Sequence, residues 1–140
     1  MAQALEVRRA VFIDEQDVPE DLEIDEYDGD PALIGTALHV LASQDGEPVA
    51  TGRLLLEAEH GYAHIGRVAV MKQHRRRGHG TAVMEALHEL ARERGFEGIT
   101  LAAQLHAIGF YERLGYTVRS DVFLDAGIEH RWMDLSLALT

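Results

Sequence analysis

The hydrophobic period of this chain switches from strand-like to helical after Met71, and that switch constrains the fold more than any other feature. Before it, the runs 36–43, 48–56 and 62–71 are separated by Gln44-Asp45-Gly46-Glu47 and by Ala58-Glu59-His60-Gly61. Asp-Gly and His-Gly between apolar runs signal tight turns, so these segments predict an antiparallel meander. After it, Val83, Met84, Leu87, Leu90 and Ala91 recur at helical spacing, and Gly95 follows Arg92-Glu93-Arg94 as a stop, predicting a helix over 80–94. Residues 99–102 read as a short buried strand and 105–114 as a second helical stretch closed by Gly115.

The ends complete the pattern. Leu5, Val7, Val11 and Phe12 mark a short amphipathic helix over 4–12, and 14–30 reads as an acidic loop that packs down through Val18, Leu22 and Ile24. Residues 116–120 and 130–139 read as closing strands; in the second, Met133, Leu135, Leu137 and Leu139 alternate with Trp132, Asp134, Ser136 and Ala138. The order helix, three strands, helix, strand, helix, two strands predicts an α+β fold in α/β/α layers, a mixed, mostly antiparallel sheet flanked by helices. At 140 residues the chain supports one core, and we read 1–140 as a single domain.

Composition narrows the chemistry. There is no Cys, so disulfides, thiolate zinc sites and a covalent thio-acyl enzyme are excluded. No apolar run approaches the roughly 20 residues of a membrane span, and no basic start leads into an apolar stretch, so the expected compartment is the cytoplasm. The net charge of −11 is unevenly placed: residues 1–52 hold thirteen of the 24 acids and two of the 13 Lys and Arg. The acids concentrate in Glu20, Asp21, Glu23, Asp25, Glu26, Asp28 and Asp30, and the densest basic cluster is Arg75-Arg76-Arg77. That overall acidity, without an aromatic and basic platform, argues against nucleic acid as a partner.

Residues 70–81, VMKQHRRRGHGT, place two Gly and three Arg between a strand and a strong helix. A helix N-terminus presents unpaired N–H groups, and Gly lets a ligand approach them, so this segment reads as an anion cradle. It lacks the Gly-Lys-Ser/Thr of a Walker loop, and Val83 stands where a dinucleotide fingerprint needs its third Gly.

Arg75-x-x-Gly78-x-Gly80, entered from a strand ending in Val70, resembles the pyrophosphate-binding motif of the GNAT acetyltransferases. Residues 104–116, QLHAIGFYERLGY, are similar to the second GNAT signature, Asn-x-x-Ala-x-x-Phe-Tyr-Glu-x-x-Gly-Phe, with Gln104 in place of Asn. Residues 11–19, VFIDEQDVP, and Gly127-Ile128-Glu129-His130 look like the ElaA/YjcF-type branch of that superfamily, so the resemblance spans 5–135. It departs in one respect: GNAT chains commonly open with a strand, whereas Ala4 already belongs to a helix. The first strand is therefore expected to be missing, either because the start is truncated or because the domain manages with one fewer. An exposed sheet edge would suit a homodimer.

The resemblance implies an acyl-CoA acyltransferase fold and an acetyl-CoA-dependent N-acetyltransferase that works by direct attack in a ternary complex. The backbone of Val68, Ala69 and Val70 would pair with the pantetheine arm, and the amides of Arg76, Arg77, Gly78, His79, Gly80 and Thr81 would hold the pyrophosphate. Arg75, Arg76 and Arg77 would add charge there or reach the 3′-phosphate, and Gln104 belongs to the same donor-binding set. Tyr111 would be the acid that protonates the CoA sulfur; its ordinary pKa of about 10, above the ~8.5 of a thiol, keeps it protonated at neutral pH and is expected to favour donation. A backbone N–H near Val70 is the expected oxyanion donor.

The general base is open: His64 and His130 have suitable chemistry, Glu15 and Glu57 are carboxylate options, and relay through water serves equally. Arg67 lies near the acceptor or is a packed strand residue. His60-x-x-x-His64 and His88-Glu89 lack the partners of a metal site, so no metal is expected. The acceptor is a small-molecule or peptide amine. If the acidic run rims its site rather than forming a solvated face, a polyamine, an aminosugar or a Lys side chain is favoured. The rival reading is a catalytically idle acyl-CoA-binding or regulatory domain.

Overall fold

The computed structural model describes residues 2–18, 37–59 and 61–137, those at 57–59 by backbone alone. Helix α1 (Ala2–Arg8) runs into a wider π-helical segment (Arg9–Glu15), a local change the apolar spacing over 4–12 did not announce. Strands β1 (Ala37–Gln44), β2 (Glu47–Glu59) and β3 (Tyr62–Val70) form the predicted meander. Asp45 and Gly46 both take positive φ, 52° and 82°, which a two-residue turn between right-twisted strands requires. Then come α2 (His79–Glu93), β4 (Gly98–Gln104), α3 (Ile108–Arg113), β5 (Thr117–Val118), β6 (Phe123–Asp125) and β7 (Ile128–Ser136).

The described strands form one sheet of seven in the order β1-β2-β3-β4-β7-β5, with β6 also on β7. Only the β3–β4 pair is parallel, so the sheet is mixed and mostly antiparallel, as expected. The apolar stripe of α2, from Val83 to Ala91, packs with Tyr111 of α3 against Leu54, Ile65, Ile99, Leu101 and Met133. Val7 and Val11 pack with Ala69 as a second cluster. Val68 and Val70 face the first core and Ala69 the second, which sets helices on both faces of the sheet. No strand precedes α1 among the described residues, and no helix among them is long and apolar enough to cross a membrane.

The C-terminal region departs from expectation. The strand expected over 116–120 narrows to Thr117–Val118, and β6, which the sequence reading lacks, pairs Phe123 with His130 of β7. Ala126 and Gly127, at φ 52° and 77°, close that hairpin, and Ala-Gly is a weaker turn signal than Asp-Gly. Strand β7 ends at Ser136 rather than Leu139: the Leu137 N–H bonds the Glu97 carbonyl instead, and 138–140 lie outside the described residues. The acidic loop is described only to Val18, which is buried; Glu20 to Asp30 lie outside the described residues.

One feature of the sheet positions the site. Strands β3 and β4 pair only at Tyr62, Ala63 and His64. Beyond His64, β3 keeps only β2 as a partner and β4 only β7, so the sheet opens into a wedge between them.

Candidate active site

The wedge leads into a cavity of about 1100 Å³, above the roughly 300–1,000 Å³ of a single-ligand pocket and large enough for two substrates. Val68, Ala69 and Val70 line it along the free edge of β3. Upstream, β3 carries one residue more than β2: Gly66 pairs with Arg53 and Ala69 with Thr51, and Arg67 absorbs the excess at φ 53°. This is a β-bulge, a device that bends a strand and redirects its side chains.

After β3 the chain makes a 3-10 turn (Lys72–His74) and enters α2 through the basic segment. Gly78 is the N-cap at φ 83°, and Arg76 is also left-handed at 63°. The Ala82 N–H bonds the Gly78 carbonyl at 3.0 Å, so the N–H groups of His79, Gly80 and Thr81 precede the helical ladder. No side chain caps this end and its first turn carries no acid, which leaves its partial positive charge to a ligand. The two glycines serve differently. Gly78 is needed for its backbone angle, whereas a Cβ on Gly80 would press on Phe110 at 3.4 Å.

The basic side chains divide. Arg75 lines the cavity, forks onto the Glu15 carboxylate at 2.8 and 2.6 Å and donates Nε–H to the Val70 carbonyl at 3.1 Å. Arg76 lines the cavity; Arg77 is exposed and outside its lining. His79 offers its amide to the cradle, but its ring meets Gln44 at 3.2 Å and lies edge-on to His74. At the end of β4, Gln104 exchanges two amide hydrogen bonds with Gln16, at 2.9 and 3.2 Å. The π-helical segment and its C-cap are thus fastened to both sides of the wedge.

Tyr111 projects from α3 between the rings of Phe110 and Tyr116, at 5.1 and 5.7 Å. Tyr111 is buried and is among the residues that line the cavity. Burial pushes its hydroxyl up to about 12, so it stays protonated throughout the neutral range.

Beyond the wedge the cavity continues over the sheet. His64 and His130 both line it, His64 edge-on to Trp132 at 5.6 Å and His130 stacked on Phe123. Burial, then the charges of Arg53 and Arg67, push the His64 imidazole below its ordinary range, with Asp125 opposing. Glu15 is committed to Arg75, which holds its carboxyl below the usual range and removes it as a base. The side chain of Glu57 lies outside the described residues. Arg53, Phe123 and Trp132 also line this end, and the sequence reading missed them as site residues. The alternation that set Trp132 opposite Met133 was the one available signal.

The description "Acetyltransferase (GNAT) family" matches residues 2–116. The chain is 39% identical over 131 residues to the uncharacterized N-acetyltransferase YjcF of Bacillus subtilis, covering 93% of this chain and 88% of that protein. An acyl-CoA N-acyltransferase from Pseudomonas aeruginosa superimposes with TM-score 0.79 at 32% identity, covering 95% of this chain and 87% of the other. Escherichia coli ElaA does so with TM-score 0.81 at 29% identity and the same coverage. The wedge, the cradle at the start of α2 and these likenesses agree, and the chain belongs to the GNAT family of acetyltransferases.

Proposed function

We propose that this chain transfers the acetyl group of acetyl-CoA to a primary amine by direct attack in a ternary complex. The observation that carries the reading is that one cavity is lined by Tyr111, by Val68 to Val70 along the free edge of β3 and by the N-terminus of α2, with the Tyr111 hydroxyl held protonated by burial. The cradle fits a pyrophosphate, because its N–H groups and Arg76 offer donors without a carboxylate in the first turn. The edge of Val68 to Val70 offers backbone groups to an extended amide-bearing arm.

The donor supplies an activated acyl carbon. The amine nitrogen bonds to that carbon, the C–S bond breaks, and the sulfur leaves with the electron pair. Tyr111 gives its proton to the sulfur as that bond breaks. At about 12 it is a weaker acid than a thiol, so the transfer accompanies cleavage rather than preceding it. The amine gives up one proton, which passes to His64 or to water and restores Tyr111. Burial and the neighbouring guanidinium groups keep the His64 ring neutral, and the same forces make it a weaker proton acceptor than an ordinary imidazole, so water shares this role. A backbone N–H near Val70 serves the oxyanion. The absence of Cys requires the acetyl group to pass without a thio-acyl enzyme.

Calorimetry with acetyl-CoA and CoA, paired with a thiol-release screen over amines, tests this reading. Binding with amine-dependent thiol release is the expected result. Binding without release over a broad amine panel would favour the idle acyl-CoA-binding domain, and no binding would remove the donor assignment.

A further inference from the structure

Strand register gathers a distinct set of residues on one face of the sheet at the acceptor end of the cavity. Arg53 of β2 stands across from Gly66 of β3, Ala102 of β4 across from Trp132 of β7, and Phe123 of β6 across from His130 of β7, and direct cross-strand neighbours share a face. His64, opposite Thr100, places the β3 and β4 members of this set on the same face. All of these except Thr100 line the cavity.

The sheet opens on this face between two of the smallest residues. His64 and Thr100 are the last β3–β4 pair, and the next residues on the face are Gly66 and Ala102, with no Cβ on one side and a lone methyl on the other. A Cβ on Gly66 would lie 3.6 Å from His64 Nε2, so the floor beside that nitrogen is left to the cavity. Against this floor stands an aromatic cluster. Phe123 and Trp132 stack at 5.4 Å with 20° between their planes, Phe123 stacks on His130 at 5.9 Å, and His64 meets Trp132 edge-on at 5.6 Å. Arg119 lies over the Trp132 ring and is itself tied to Asp134 and Thr100, so the cluster is held in place before a ligand arrives.

A floor almost free of side chains beside fixed rings accepts a flat group better than a puckered one, and aromatic rings attract one another, offset or edge-on, beyond the area they bury. Charge points to a single amine. Arg53 and Arg67 hold interactions within the protein, so they ask no anion of the substrate. Of the two acids among the described residues that line the cavity, Glu15 is committed to Arg75 and Asp125 remains, which suits one ammonium rather than several. We infer that the acceptor is a primary amine joined by a short linker to a flat aromatic ring: the ring joins Trp132 and Phe123 over Gly66 and Ala102, and the amine lies beside His64. The 5.6 Å between the His64 and Trp132 rings is what keeps the linker short. This rests on the transferase reading above and names its substrate class.

The test compares phenethylamine with cyclohexylethylamine, which keeps the amine, the linker and nearly the size but is puckered, and with spermidine and glucosamine, by thiol release from acetyl-CoA. Phenethylamine is expected to show a kcat/KM at least about threefold above cyclohexylethylamine, the scale of one aromatic pair, and above both other amines. Gly66→Ala puts a methyl on the floor and should raise KM for phenethylamine about threefold or more, with acetyl-CoA affinity retained. Trp132→Leu should erase the preference over cyclohexylethylamine. Equal or better use of cyclohexylethylamine, spermidine or glucosamine by the unaltered chain would overturn the inference while leaving the transferase reading standing. An unmoved KM in Gly66→Ala would overturn the placement of the ring. If acetyl-CoA binds but no amine releases thiol, the transferase reading fails instead. Calorimetry of phenethylamine against cyclohexylethylamine on the CoA-loaded chain then decides the recognition claim, equal or absent heats overturning it. The same comparison on unaltered protein serves if Trp132→Leu does not fold.

Discussion

Glu15 and Arg75, 60 residues apart, meet through a two-pronged contact, Nη1 to Oε2 at 2.8 Å and Nη2 to Oε1 at 2.6 Å. The same guanidinium donates to the Val70 carbonyl, so one side chain joins the π-helical segment, the end of β3 and the start of the cradle. Its function is placement rather than strength. Both side chains are about one-third exposed, 37% and 32%, and such pairs contribute less than ~1 kcal/mol. Glu15→Gln should lower unfolding stability by less than that at pH 7 in urea titration. The hydrogen bond from Arg75 depresses the Glu15 pKa below 4.5 in the fold. The stabilisation is thus present above the ordinary carboxylate range and is lost as pH falls through the folded value. The variant and the parent should converge in acid; a difference that grows there would show that another group is titrating.

Tyr111→Phe removes one oxygen and keeps the ring between Phe110 and Tyr116. Under the proposed mechanism kcat falls by about 10²-fold or more, the scale of general acid catalysis. Acetyl-CoA affinity should be unchanged, because the cradle and the β3 edge are untouched. With the hydroxyl at about 12, no alkaline limb from Tyr111 is expected between pH 7 and the unfolding of the protein. Stopped thiol-release assays over pH, with calorimetry on the variant, check both halves. A variant of full activity would remove Tyr111 from the chemistry.

How much of this was legible beforehand follows from how local each feature is. The cradle depends on Gly78 and Gly80 at the start of one amphipathic helix, which a short window of sequence shows. Tyr111 was marked by the resemblance of residues 104–116 to the second GNAT signature, one continuous stretch of sequence. The partners of these residues were not legible. Nothing near Arg75 in sequence points to Glu15, and nothing near Gln104 points to Gln16. Arg53 joins the site only because a bulge at Arg67 sets it opposite Gly66, and register across strands is not written in either strand alone. Phe123 belongs to a three-residue strand held by β7, too short to leave a periodic signal.

His88 and Tyr116 form a buried pair behind the site, Nε2 to Oη at 2.6 Å. Burial, with a smaller push from Arg92, lowers His88 from 6.5 to about 4. Its folded pKa lies below the unfolded value, so its contribution is complete above pH 6.5 and is lost as pH falls toward 4. A shift of that size corresponds to roughly 3 kcal/mol at the limit. Stability measured from pH 7 to 4 should therefore fall, and His88→Gln should flatten that part of the slope. Tyr116→Phe strands the imidazole nitrogen in the core and should cost about 1–3 kcal/mol at pH 7. An unaltered slope in His88→Gln would assign the acid loss to other groups.

The vertex of the wedge makes the sharpest structural prediction. Strands β3 and β4 pair at three positions only, beginning with Tyr62 and Gly98. A Cβ on Gly98 would collide with the Tyr62 ring and lie 2.6 Å from the Leu135 carbonyl oxygen. The ring has some freedom to turn, but the carbonyl belongs to the β4–β7 ladder and has little, so relief must come from backbone movement. Gly98→Ala should cost about 1–3 kcal/mol or more in urea unfolding. It should also loosen acetyl-CoA, because this pairing, the only parallel one among the described residues, is what sets the opening angle of the wedge. Gly66→Ala is the comparison: it lies on β3, its Cβ would meet nothing closer than 3.6 Å, and its stability should stay within about 1 kcal/mol of the parent. If the two variants lose equal stability, close packing at the vertex is not what holds the wedge.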